Sequence, residues 1–140
     1  MSDKNLKAKF NESDFSKVSG IVVDKCINKY VREENTNRVI GMIAAVTFSG
    51  SNKVCVGWCV LHDLDIFLNT PFNYELAAKI VLGRAKKHFY RGGFENRRLP
   101  KKILSEMIPF LVRCRRYFKD KEVPILLAEK EFFFKFANNF

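Results

Sequence analysis

Residues 38–48, RVIGMIAAVTF, are apolar at almost every position, and a second such run, KVCVGWCVLH (53–62), follows after Ser49-Gly50-Ser51-Asn52. Both runs are short and rich in β-branched residues, and the turn between them is polar and contains glycine. Together they predict an antiparallel hairpin. A strand that is apolar on both faces belongs in the middle of its sheet, not at an edge. The rest of the chain therefore has to supply a further strand and something to pack against the sheet.

The further strand is GIVVDKCINKYVRE, which begins at Gly20 and is separated from the hairpin by a turn at Asn35-Thr36-Asn37. After the hairpin, DLDIFLNTPF (63–72) reads as a connection anchored through Ile66, Phe67 and Leu68. Asn73 is placed to cap a helix, with Glu75 favouring its N-terminal dipole. Leu76, Ala77, Ile80 and Val81 give that helix an apolar stripe, which Phe89 continues, while Lys79, Lys86 and Lys87 fall on another face. It should run to about Tyr90 and stop at Gly92-Gly93.

Pro100 suits the start of a second helix. Ile103, Leu104, Met107, Ile108, Leu111 and Phe118 form its expected buried stripe, and Pro109, on the polar side, is expected to kink it. Residues 1–18 read as a flexible polar arm. Residues 19–140 read as one α+β domain with a Phe-rich tail (Phe132, Phe133, Phe134, Phe136 and Phe140). The expected fold is an antiparallel sheet of three or more strands, with the hairpin central, packed against two helices.

Charge is distributed unevenly over this frame. The chain carries 25 Lys and Arg against 15 Asp and Glu, a net +10. Between Arg84 and Lys119 there are 12 basic residues and 2 acids, whereas outside that window 13 basic residues meet 13 acids. The whole excess thus lies in about a quarter of the chain, which marks a surface for a polyanion. The candidate contacts are Arg84, Lys86, Lys87, Arg91, Arg97, Arg98, Lys101, Lys102, Arg113 and Arg116 for phosphates, with Tyr90 and Phe94 to stack on unpaired bases. Such a charge run can also be the solvated side of two helices, with the aromatics buried at their junction.

The stretch CINKYVREENTNRVIGMIAAVTFSGSNKVCVGWCV followed by ELAAKIVLGRAKKHF resembles the N-terminal, double-stranded-RNA-binding-like domain of the fifth protein of the small ribosomal subunit. Arg38, Gly50, Asn52, Val54, Val56 and Gly57 take corresponding places, as do Ala77, Ala78, Ala85, Lys86 and Lys87. The likeness covers about half the chain. DLDIFLNTPF is an insertion relative to that family, and nothing after Gly93 is similar to its second domain. Cys59, Asp65, Phe67, Ile80, Gly83 and Arg84, with RCRRYFKD (113–120), look like small uncharacterised bacteriophage proteins. The resemblance implies a dsRBD-like, RNA-binding fold, encoded by a phage.

Catalysis is not expected. Cys55, Cys59 and His62 invite a zinc reading, but strand residues four apart lie roughly 13 Å from each other, too far to share a metal. Core thiols are the better reading. His62, Asp63 and Asp65 are the one cluster hinting at a nuclease, and a polar turn after a strand explains them more simply. No phosphate-cradling glycine loop, nucleophile elbow or HExxH stands in the sequence, so no cofactor or metal is expected.

The N-terminal residues lack an apolar signal core, and the longest apolar stretches are about half a membrane span. With four cysteines read as reduced, a cytoplasmic protein without membrane contact is expected. The sequence thus points to a non-enzymatic protein binding RNA or single-stranded DNA. The competing reading is a small interaction protein that docks on an acidic protein surface. The Phe-rich tail leaves self-association or partner binding open.

Overall fold

A computed structural model describes residue 20 and residues 22–91 and 99–125, with backbone only at 89–91. Three strands, β1 (Val23–Arg32), β2 (Val39–Phe48) and β3 (Val54–Val60), form an antiparallel sheet in the order β1-β2-β3. β2 is central and buried along its whole length, as its two apolar faces require. Gly50, in the β2–β3 turn, has φ +81°, a conformation that costs glycine little. Ser51 N–H donates to the Phe48 carbonyl at 3.0 Å to close that turn.

Three helices follow: α1 (Asp63–Phe67), α2 (Tyr74–Arg91) and α3 (Lys101–Tyr117). The Asn73 side chain accepts from Leu76 N–H at 3.0 Å, so it caps α2 as the sequence predicts. The Pro100 carbonyl accepts from Leu104 N–H at 2.8 Å and opens α3, which runs through Pro109 to Tyr117 as one helix.

The two long helices cover opposite faces of the sheet. Ile27, Ile43, Ala45, Val54 and Val56 pack with Ile103, Met107, Phe110, Leu111 and Phe118 of α3. On the other face Cys26, Met42, Ala44, Val46, Phe48 and Cys55 pack with Ala77, Val81, Leu82 and Ala85 of α2. β2 side chains thus meet apolar partners on both faces of the sheet, which accounts for the almost wholly apolar run from Val39 to Phe48.

Two details of the sequence reading are corrected. Leu76 and Ile80, which belong to the apolar stripe of α2, are 52% and 39% exposed. The buried face is Ala77, Ala78, Val81, Leu82, Ala85 and His88. Small residues win because the helix lies very close to β3: a Cβ on Gly57 would fall 1.8 Å from the Val81 carbonyl oxygen. In 63–72, part of the stretch read as a connection is the short helix α1, and of the three expected apolar anchors only Ile66 is buried. Phe67 and Leu68 are 81% and 61% exposed, because i and i+1 cannot share one helix face.

Candidate nucleic-acid interface

α2 lies antiparallel to β3. Cys59 Sγ sits 3.9 Å from the Ala77 carbonyl, Gly57 meets Val81, and Val56 N–H donates to His88 Nδ1 at 3.0 Å. The last turns of α2, with Lys86 and Lys87, therefore point toward the β2–β3 hairpin. α3 runs the same way on the other face. Near its start Lys102 pairs with Asp63 at 3.5 Å, beyond the end of β3. Past its end Lys121 Nζ donates to the Ser51 carbonyl at 3.2 Å.

Both helix C-termini and the hairpin turn thus converge on one end of the sheet. Lys53, Lys86, Lys87, Arg116, Lys119 and Lys121 gather there, with Asp120 and Glu122 as nearby acids, and the exposed neighbours Asp24 and Lys25 at the start of β1 lie at the same end. Part of this charge has a structural use, since cations offset the negative C-terminal ends of α2 and α3. The opposite end carries Glu33, Glu34, Asp63, Asp65 and Glu75 beside Arg32, Arg38, Lys101 and Lys102. The charge is therefore polarised along the strand direction.

The candidate residues from the sequence separate accordingly. Lys86, Lys87 and Arg116 lie toward the hairpin end. Lys101 and Lys102 lie at the other end, where Lys102 is engaged by Asp63. Arg113, exposed, lines an open groove of about 450 Å³ beside β1, with Asn28, Tyr30 and Arg32. Arg84 reaches the outer edge of β3. Its guanidinium carbon stands 4.1 Å from the centre of the Trp58 ring, and Nη1 donates to the Trp58 carbonyl at 2.6 Å. The side chains of Phe89, Tyr90 and Arg91 lie outside the described residues, as do Phe94, Arg97, Arg98, the Gly92-Gly93 break, the arm at 1–18 and the Phe-rich tail.

The outer edge of β3 is closed by side chains and by the chain after α3. Val54 N–H donates to the Glu122 carbonyl at 2.8 Å, Val56 N–H to His88, and the Trp58 carbonyl accepts from Arg84. An edge strand with free backbone groups would pair with other chains, and this arrangement prevents it. Burial, with Lys53 adding to it, lowers the His88 pKa to about 4. The imidazole is therefore neutral at physiological pH, with Nδ1 free to accept.

The other polar clusters have structural explanations. His62 Nδ1 accepts from Leu64 N–H at 3.2 Å and caps α1. Asp65 accepts from the Thr70 hydroxyl at 3.4 Å, and Asp63 pairs with Lys102. Arg38 Nη2 and Nη1 donate to the Ile66 and Thr70 carbonyls at 2.8 and 3.3 Å, neutralising the carbonyl end of α1. Cys55 and Cys59 are buried on the α2 face, and burial pushes both thiols up to about 11. That makes them poor nucleophiles and poor metal ligands at neutral pH.

Sequence reading missed two contributors. Lys53 and Lys121 lie outside the basic window but inside the cluster, and only the hairpin's contact with the chain after α3 brings them together. Trp58 is half-buried, because β3 is an edge strand. No helix among the described residues is long and apolar enough to cross a membrane. No protein-family model, curated protein or solved structure matches the chain.

Proposed function

We propose that the protein binds nucleic acid, RNA or single-stranded DNA, and catalyses no reaction, using the cationic surface around the β2–β3 hairpin. The observation that carries this reading is the convergence of α2 and α3, from opposite faces of the sheet, on one end where lysines and arginines outnumber acids. Phosphate contacts supply the affinity there, and sequence preference is weak. Lys101 and Lys102, at the far end, lie outside the proposed surface.

The test is binding to labelled single- and double-stranded RNA and DNA across a salt series. Affinity is expected to fall steeply, by orders of magnitude, between about 50 and 200 mM salt. Joint charge reversal of Lys86, Lys87 and Arg91 is expected to abolish binding, whereas reversal of Lys101 and Lys102 leaves most of it. Absence of binding at low salt, or full binding by the triple variant, defeats the reading. Retention of an acidic protein ligand with no nucleic-acid binding would favour docking on an acidic surface instead.

A further inference from the structure

We propose that Arg84, carried on Trp58, is a stacking platform for an unpaired nucleobase, so that the ligand of the cationic surface is a single strand. This deepens the nucleic-acid reading above and rests on it.

Trp58 stands on β3 with its ring half-buried at the sheet edge, and the guanidinium of Arg84 lies over that ring with its carbon 4.1 Å from the centroid. The hydrogen bond from Nη1 to the Trp58 carbonyl, 2.6 Å, fixes the same group a second time. The guanidinium is therefore held at an aromatic ring by two contacts, while Arg84 as a residue remains exposed. A guanidinium held in this way stacks on a second flat π system, and Arg planes and aromatic rings both serve as base-stacking surfaces. Because the side chain is already ordered, little further freedom is lost when a base arrives.

The surroundings favour a base with its phosphates. Lys87, one turn further along α2, is exposed beside Arg84. Gly83, also exposed, precedes it, and a Cβ at that position would meet nothing within 4 Å. Packing therefore does not require glycine in the middle of this helix, where it costs about 1 kcal/mol relative to alanine. Its bare backbone leaves the flank of Arg84 open to close approach. In a duplex the bases are stacked on each other and cannot present a face, so the platform selects for single strands. A purely structural role for Arg84, covering the edge of β3, needs a donor and a charge but no exposed plane.

The chain has a single tryptophan, so its fluorescence reports on this site alone. The full-length protein would be titrated with oligo(U), with oligo(dT), with a duplex of the same length, and with heparin, a polyanion without bases. Trp58 emission is expected to change saturably with both single strands, and not with heparin or duplex at concentrations that occupy the cationic surface. Arg84→Lys keeps the charge and a donor but removes the plane. It is expected to weaken oligo(U) and oligo(dT) binding roughly tenfold, with heparin affinity and the melting curve unchanged. Should that variant fold poorly, the wild-type fluorescence titrations decide alone.

Equal emission changes with heparin and oligo(U), or undiminished single-strand affinity in a folded Arg84→Lys protein, would overturn the platform. Oligo(U) binding in the salt series without a response at Trp58 also overturns it, while leaving the nucleic-acid reading in place. Failure to bind any nucleic acid at low salt removes both.

Discussion

His88 shows how one side chain can tie the fold to pH. Its Nδ1 accepts the Val56 N–H, which has no strand beyond it to pair with. Its pKa is lowered from 6.5 to about 4, so between those values the unfolded chain binds a proton that the folded chain does not. This contribution to stability is complete above about pH 6.5 and is lost as the pH falls toward 4, on the order of 3 kcal/mol in all. Urea unfolding at a series of pH values should show that loss. His88→Leu should flatten it and cost about 1–3 kcal/mol at neutral pH, because the Val56 N–H is left buried without an acceptor.

At the scale of elements, the seat of α2 on β3 depends on the side chain that Gly57 lacks. Gly57 lets the Val81 backbone approach, and a methyl group there would collide with a carbonyl oxygen that cannot move without shifting the helix. Gly57→Ala is therefore expected to destabilise by about 3 kcal/mol or more. Gly83, on the outer side of the same helix, has open space around it. Gly83→Ala is expected to stabilise by about 0.5–1 kcal/mol through helix propensity. Thermal melts of the two variants should move in opposite directions, and a shared direction would mean that α2 sits differently. The three strands and two long helices were legible from periodicity and caps. The rotation of α2 was not, because Leu76 and Ile80 are more apolar than the alanines that are actually buried.

The whole molecule has a cationic end that neither long helix forms alone. α2 and α3 are separated by the sheet and meet only through the order of their ends, with the hairpin between them. If one strand of nucleic acid spans that end, both helices contribute phosphate contacts. Arg116→Ala and Lys119→Ala, on the α3 side, should then each weaken binding about uniformly across sequences. Each should also reduce the salt slope by about one. An unchanged slope in the double variant would confine the contact to the α2 side. Four of the six basic residues of the cluster were visible in the basic window. Lys53 and Lys121 were not: Lys53 is a lone cation between two apolar strands, and Lys121 is flanked by Asp120 and Glu122, which balance it locally.

The amino-acid sequence by itself determined that a hairpin with a doubly apolar strand lies at the centre of a small α+β sheet, that two helices follow, and where each starts. Those features are local: alternation, side-chain caps and turn residues act over a few positions. Only the tertiary structure decided that the helices take opposite faces, that Trp58 meets Arg84 at an edge, and that the lysines divide between two ends. These depend on which surfaces approach closely enough to pack. That approach is set by Gly57 and the alanines of α2 together, which no single stretch of sequence displays.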